Sequence, residues 1–334
     1  MASSDTSFLD RVDNFQQSHA VVALPVAVYK KFSEDEGGRL ASLISYHAFL
    51  SVFPLLLVLT TVLSNQLGPD SELSRKIVTT AGGTFLAVGD QGAITPLQVS
   101  GWALAIGVLI GMWNGLAVSN SMQWAMNVVQ EVPKTEWPGM VPRVGRNIGL
   151  ILVVGLGLTL TTVALGFGVA LSGGWVTVVV SYAVVFLLDL ALIGLAFRIA
   201  TVSVISWRQV LPGAALAAAA WLILQAIGNT LLTQRVSGAQ QTYGPFAVIV
   251  GLLFWFYLLA QITLYCAELN SVLARRLWPR GLRSVLSSQA HTEADVRAYK
   301  SYPRRENQAH NATVHVGVEP IDSNESTAKD VPTK

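Results

Sequence analysis

Three titratable side chains interrupt the long apolar stretches of this sequence: Glu268, Asp189 and His47. Glu268 lies in YGPFAVIVGLLFWFYLLAQITLYCAELNSVLARR, residues 243–276, which is apolar along most of its length. A carboxylate that faced lipid would be strongly unfavourable, so each group is expected to face a bundle interior, a partner or water. Ionisable residues inside membrane spans commonly bind substrates or carry protons, which makes these three the candidates for chemistry.

The residues around Glu268 form a polar and aromatic stripe. Tyr257, Gln261 and Tyr265 precede it at intervals of three or four residues, which places all four on one face of a helix. With both termini in the cytoplasm, the three titratable groups all lie in the cytoplasmic halves of their stretches. We therefore predict that they converge in one intramembrane polar site open to the cytoplasm. Its predicted entrance consists of polar residues that follow the second apolar stretch and of two arginines: Asn120, Gln123, Asn127, Arg198 and Arg208.

Each titratable group also has a purely structural interpretation. Glu268 lies close to the end of its span, where an ion pair with a nearby arginine would anchor the helix. Asp189 is equally suited to a structural hydrogen bond, and His47 to a packing position in which its ring nitrogens are satisfied. The candidate arginine partners are Arg275, Arg198 and Arg208.

The composition indicates that membrane-spanning helices position these groups. Of 334 residues, 52% are hydrophobic and 13% charged, and the mean hydropathy is +0.49, so the charges are too few for a soluble surface of this size. Six stretches are long enough to cross about 30 Å of hydrocarbon, and all 22 Lys and Arg residues lie outside them. The predicted fold is all-α, a polytopic membrane protein with six transmembrane helices at about 40–64, 97–118, 148–171, 176–197, 210–232 and 245–273.

The distribution of basic residues predicts the orientation and the domain organisation. With both termini in the cytoplasm, 19 of the 22 Lys and Arg residues lie on the cytoplasmic side, as the positive-inside rule requires. The chain then divides into a cytoplasmic amphipathic segment (1–39), a six-helix transmembrane domain (40–273), and a cytoplasmic tail (274–334) that is basic and then disordered. Four arginines are predicted to contact lipid headgroups: Arg275, Arg276, Arg280 and Arg283.

Several classes of protein are disfavoured by what the sequence lacks. The five histidines form no clustered metal-binding pattern, the one cysteine, Cys266, is too few for a zinc site, and no glycine-rich nucleotide loop is present. The net charge of +2 gives no indication of nucleic-acid binding. We expect no catalytic residue, no metal and no cofactor. Membrane lipids are the expected partners.

Three segments match a known pattern in the same order along the chain. They are GGRLASLISYHAFLSVFPLLLVL (37–59), FRIATVSVISWRQVLPGAALAAAAW (197–221) and YGPFAVIVGLLFWFYLLAQITLYCAELNSVL (243–273). The most specific elements are the Tyr46 to Pro54 segment, Pro212-Gly213, Tyr243-Gly244 and Ala267-Glu268-Leu269-Asn270. In these elements the chain resembles the YihY/BrkB family of bacterial inner-membrane proteins, over about residues 30–280.

The resemblance implies a six-helix protein of the cytoplasmic membrane associated with envelope integrity, with envelope-biogenesis proteins as possible partners. We rank first a conduit or flippase-like transporter for a lipidic or amphipathic molecule, which predicts an interior cavity reaching Glu268 and Asp189. The alternative is a non-transporting scaffold, which predicts a tightly packed bundle with its titratable groups paired. An enzyme is disfavoured because the spans show no acid-base or metal constellation. This includes a ribonuclease, although members of the family have carried that label.

Overall fold

The computed structural model describes residues 11, 13–67, 101–170, 174–243, 245–281, 292–309, 314 and 315. Within these residues the chain is helical, without strands, as the sequence predicts. The helices with described bounds are α1 (Ala20–Glu34), α2 (Gly37–Leu67), α3 (Gly101–Val129), α4 (Met140–Ala170), α5 (Trp175–Ala200), α6 (Trp207–Tyr243), α7 (Pro245–Arg275) and α8 (Glu293–Glu306).

Helices α2 to α7 occupy the six predicted spans. Five of them contain segments long and apolar enough to cross a membrane, counted over the described residues alone. These segments are Ala105–Val129, Met140–Thr161, Trp175–Ala200, Trp207–Gln225 and Ile249–Arg275. Helix α2, with 31 residues, holds the first predicted span. The protein is therefore a multi-pass membrane protein, and the predicted count of six is close to the five identified.

The helices pack as a bundle whose outer surface is apolar. Helix α7 contacts α1, α2 and α6, while α4 packs on α5 and α5 on α6. Large apolar side chains such as Leu152, Val179 and Leu187 stay more than half exposed on α4 and α5. An apolar surface of this extent is expected where helices face acyl chains rather than water.

Helices α6 and α7 approach very closely at Gly213. Its backbone N–H donates a 2.6 Å hydrogen bond to the Asn270 side chain, and a Cβ at this position would overlap the carbonyl of Cys266. Only glycine allows this contact. Two of the segments that carry the family resemblance, Pro212-Gly213 and the sequence ending in Asn270, are thus in direct contact.

One end of the bundle carries most of the described charged contacts, and we call it the charged end. Here α3, α5 and α7 finish and α2, α4 and α6 begin. Its helices are tied across the bundle by the ion pair of Arg275 with Glu131 (2.9 Å) and by a 3.0 Å hydrogen bond from Arg146 to the carbonyl of Thr201. The positive-inside prediction assigns this end to the cytoplasm.

The tail differs from its prediction between residues 292 and 309. The polar composition predicts disorder, but Glu293–Glu306 forms α8, with Thr292 and Asp295 in a capping box at its start. Ala298 of α8 is fully buried in a small apolar cluster with Ala27 of α1 and Val272 of α7. The prediction was wrong here because composition does not report the capping and ion-pair partners that order a polar helix. Residues 282–291, 310–313 and 316–334 lie outside the described residues.

Candidate functional site: a buried ion cluster at the charged end

Lys31 of α1 is fully buried and is the centre of the site. Its Nζ lies 3.2 Å from Oε2 of Glu268 and 3.4 Å from Oε1 of Glu131. It also forms an ion pair with Asp35, one helical turn further on, and donates a 3.1 Å hydrogen bond to the carbonyl of Val129. One cation from a helix outside the spans therefore joins the ends of α3 and α7.

Two arginines complete the charge balance at the edge of this site. Arg275 Nη1 lies 2.9 Å from Oε2 of Glu131, and Arg305 Nη1 lies 2.6 Å from Oδ1 of Asp35. The formal charges of the group balance, with three basic and three acidic side chains. We call it the buried ion cluster, and its members are Lys31, Asp35, Glu131, Glu268, Arg275 and Arg305.

The backbone at the end of α3 aims Glu131 into the cluster. Glu131 has a φ of +51°, and α3 ends in a Schellman motif in which Val132 N–H donates to the Asn127 carbonyl and Glu131 N–H to that of Val128. Glycine is the usual residue at such a left-handed position, and a glutamate there is strained. The strain is compatible with a carboxylate that has a specific role at this place.

Lys31 remains protonated although it has no contact with water. Burial alone would lower the pKa of Lys31, but the nearby carboxylates Glu268, Asp35 and Glu131 outweigh this effect and raise it above the usual lysine value. Arg305 behaves in the same way, because burial opposes and Asp35 favours its charge, and the net effect raises its pKa. Both Lys31 and Arg305 are therefore charged in the folded protein.

The hydrogen bonding of the cluster is incomplete. Both carboxylate oxygens of Glu268 and Oε1 of Glu131 are buried without a hydrogen-bond partner among the residues that the structure describes. Glu268 is close enough to Lys31 for an ion pair, yet the angles do not suit a hydrogen bond. Buried ion pairs contribute to stability only when hydrogen bonds also satisfy the remaining lone pairs. This cluster is balanced in charge but is not an optimised structural contact.

A second charged group holds α8 against α1. Fully buried Arg280 forms a two-fold contact with Glu34 (2.6 and 2.9 Å) and a 2.9 Å contact with Asp295, which also pairs with Lys30 at 2.9 Å. Burial would raise the pKa of Asp295, but hydrogen bonds from Lys30, Thr292 and Arg280 lower it to about 2. We call Lys30, Glu34, Arg280 and Asp295 the outer ion cluster.

The structure does not bring the three titratable groups predicted for one site together. Asp189 is buried and accepts a 2.9 Å hydrogen bond from Thr161 of α4, and His47 Nδ1 lies 2.8 Å from the Ser121 hydroxyl of α3. Glu268 instead pairs with Lys31. Each group thus has its own partner on a different helix, and Glu268 pairs with none of the three arginines proposed for it.

The polar stripe of α7 faces α1 and α2. Tyr265 stacks on Phe32 of α1 with ring centroids 3.9 Å apart, and the Tyr257 hydroxyl lies beside Gly38 of α2. Gln261, between them on this face, is half-buried. The stripe therefore leads along α7 to the buried ion cluster.

The predicted entrance residues divide into two groups. Asn120, Gln123 and Asn127 line a cavity of about 100 Å³ at the charged end. Arg198 lies over the ring of Trp207 at 4.8 Å, and Arg208 is exposed. A second cavity of about 170 Å³ is lined by Gln130, Ser203, Val204, Ile205, Gln209, Asn270, Ala274 and Arg275. Neither cavity is lined by Glu268, Asp189, Arg198 or Arg208.

The prediction of headgroup contacts was wrong for Arg280. Its guanidinium is completely buried in the outer ion cluster, because Glu34 and Asp295 enclose it. Arg276 is exposed, and Arg275 is partly exposed while it pairs with Glu131. Arg283 lies outside the described residues.

Sequence reasoning missed Lys31, Asp35 and Glu131. Both Lys31 and Asp35 lie in the segment 1–39 that is predicted to be amphipathic. Their four-residue spacing nevertheless suits an ion pair on one helix face. Among the described residues no group of three His, Cys, Asp or Glu side chains is arranged to hold a metal ion.

The chain matches the model of a known protein family. The model of a family described as Virulence factor BrkB matches residues 28–284, which is well over half of the chain. The matched region includes Lys31, Asp35, Glu131 and Glu268, whereas α8 lies beyond it. No curated protein and no solved structure matches the chain.

Proposed function

The chain belongs to the Virulence factor BrkB family, and on that premise we propose that it is a conduit or flippase-like transporter for a lipidic or amphipathic envelope molecule. In this proposal it lies in the cytoplasmic membrane with the charged end in the cytoplasm, and the structure corresponds to a form closed at that end. The buried ion cluster is the closing contact. The observation that supports this most is the Lys31–Glu268 pair, at 3.2 Å, between a helix outside the spans and the last span.

The chemistry of this pair suits a contact that opens. Replacing buried ion clusters by apolar residues of similar volume is often neutral or stabilising, so six charges are a poor choice for permanent packing. Charges that separate into water recover their hydration, whereas separated apolar surfaces do not. Separating α1 from α7 would therefore cost less free energy than separating an apolar contact that is equally buried.

A scaffold without transport is the second candidate. It is favoured by the separate hydrogen-bond partners of Asp189 and His47, since a static bundle needs its buried polar groups to be satisfied in place. The two candidates differ in one requirement: only the conduit needs α1 to move away from α7.

A reversible crosslink between α1 and α7 tests this requirement. Ala27 and Val272 lie in one small buried apolar cluster, and Cys266 is the one native cysteine. In a Cys266→Ala background, the pair Ala27→Cys and Val272→Cys would be oxidised and then reduced in liposomes, and the movement of a fluorescent phosphatidylglycerol analogue between leaflets would be followed.

The conduit predicts movement of the probe that stops on oxidation and returns on reduction. Each single-cysteine variant serves as the matched control and should be insensitive to oxidant. Equal movement in the oxidised and reduced states, or none in either state, would contradict the conduit and leave the scaffold as the better account.

A further inference from the structure

The cavity of about 100 Å³ at the charged end has a polar floor and an aromatic wall. We call it the amide–tryptophan cavity. It lies between the last turns of α3 and the segment that leads into α4, and its lining residues are Asn120, Gln123, Trp124, Asn127, Trp137, Pro138 and Arg143. Its position at the end of the spans places it at the level of lipid headgroups.

The charge of this cavity is positive and uncompensated within the described residues. No carboxylate lines it, and the guanidinium of Arg143 makes one described hydrogen bond, at 3.3 Å, to the carbonyl of Pro138. By contrast, Arg275, Arg280 and Arg305 at the same end each contact a carboxylate. Arg143, which is exposed, therefore has guanidinium donors beyond that bond beside an amide-lined space, an arrangement that suits an anion.

The walls of the cavity are fixed in place by hydrogen bonds. Trp137 donates a 3.1 Å bond from Nε1 to the carbonyl of Val132 and meets Trp124 edge-on, with ring centroids 4.8 Å apart. Buried Gln123 donates to the Asn147 side chain, which fixes its amide. A site whose walls are already ordered loses less entropy on binding.

The size of the cavity restricts what enters it. Since a water molecule occupies about 30 Å³ in the liquid, the cavity holds about three groups of that size. Pockets that enclose whole drug-sized ligands are several times larger, at about 300–1,000 Å³. One small anionic group fits, and any acyl chains attached to it must remain outside, against the exposed apolar surface.

We propose that the amide–tryptophan cavity binds the phosphate group of an amphipathic molecule, with the Arg143 guanidinium as the charged donor and the Asn120 amide as a neutral one. The planar guanidinium donates two parallel hydrogen bonds to phosphate oxygens. This inference rests on the proposed function, because it assigns the substrate class of the entrance that the conduit requires. The same chemistry would accept a free phosphate, so the test must separate the two sources.

Binding to the full-length protein in phosphatidylcholine nanodiscs tests the assignment. The probes are a short-chain phosphatidic acid, the phosphatidylcholine with the same chains, and inorganic phosphate. We expect Arg143→Gln to weaken phosphatidic acid binding by about ten-fold or more, the loss typical of one charge-assisted hydrogen bond. Arg208→Gln is the matched control, because it removes one exposed arginine from the same end outside both cavities.

A second variant covers the case in which Arg143→Gln does not fold. Asn120→Leu keeps every charge and places an apolar group in the cavity, so it should also weaken phosphatidic acid binding while Arg208→Gln does not. Inorganic phosphate that competes at equal concentration, with the same sensitivity to Arg143, would support the phosphate site with a soluble ligand.

The proposal is overturned if both cavity variants bind phosphatidic acid as the Arg208→Gln control does, or if all three probes bind alike. This readout is equilibrium binding and needs no transport. A positive result together with failure of the crosslink experiment would leave a phosphate site on a static scaffold. Cavity variants that bind phosphatidic acid as the control does, together with a successful crosslink experiment, would rule out the site alone.

Discussion

Glu268 and Asp189 are two carboxylates in similarly apolar helices, yet the structure treats them differently. Glu268 faces a lysine from α1, which lies outside the spans, and belongs to a group of six charges. Asp189 accepts one hydrogen bond from Thr161, which lies on the preceding helix of the bundle. One carboxylate joins parts of the chain that are far apart in sequence, and the other joins neighbours.

This difference indicates where movement is least costly. Helices α4 and α5 follow each other in the chain and pack along much of their length, so the Asp189 contact cannot open without separating that packing. Helix α1 is held to α7 by charges, by Phe32 against Tyr265 and by a small apolar cluster. In the proposed conduit, the Glu268 region is therefore where α1 detaches as a unit.

The largest expected effect comes from Lys31→Met. The change removes the buried cation and leaves three carboxylates with two arginines at the edge of the cluster. Removing one partner of a buried ion pair typically lowers the free energy of unfolding by about 3–5 kcal/mol. We expect a large drop in thermal unfolding temperature in detergent. Arg39→Gln is the control, because Arg39 pairs with Glu36 on an exposed surface and should change stability by less than about 1 kcal/mol. Equal effects of both changes would show that the cluster is not energetically distinct.

A smaller effect is expected from Glu268→Gln, because Lys31 keeps its contacts with Asp35 and Glu131. We expect a loss of about 1–3 kcal/mol. The double variant Lys31→Met with Glu268→Gln should lose less than the sum of the two single changes, since the residues contact each other. Strict additivity in thermal unfolding would mean that the two side chains do not interact in the folded protein.

Acid should act on α8 through Asp295. The pKa of Asp295 is lowered from 3.8 to about 2 in the folded protein, so its contribution to docking is complete above pH 3.8 and is lost as the pH falls from there towards 2. Protection of α8 from proteolysis should be constant between about pH 7 and 5. Release of α8 within that range would show that another group controls its docking.

The smallest effect is expected from Asp189→Asn. The amide oxygen of asparagine accepts the Thr161 hydrogen bond in the same geometry, so we expect a change below about 1 kcal/mol in thermal stability. Thr161→Val, which removes the donor, should be the more damaging change at this contact. A loss from Asp189→Asn as large as that from Glu268→Gln would remove the contrast between the two carboxylates.

The spans and the unusual carboxylates are predictable from sequence, because apolar length and isolated charge are local properties. The partner of Glu268 is not, because Lys31 is brought to it by the packing of α1 on α7. Helix α8 carries one readable signal, the Thr292 to Asp295 spacing of a capping box, but its polar composition outweighed that signal. The headgroup prediction for Arg280 failed because its partners are also brought to it by folding. Glu34 is distant in sequence and Asp295 lies in the tail, and together they enclose the guanidinium.

The most direct test of the central claim is the distance between α1 and the bundle in a lipid bilayer. Val21 of α1 and Val204 at the charged end are both strongly exposed, at 86% and 96%, and accept spin labels on cysteine in a Cys266→Ala background. Double electron–electron resonance should give one short-distance population in the labelled protein with Glu268 and Asp189 intact. The distances should shift to longer values when Glu268→Gln is added, but not when Asp189→Asn is added. One unchanged distance in all three proteins would contradict an opening of α1 controlled by the Lys31–Glu268 pair.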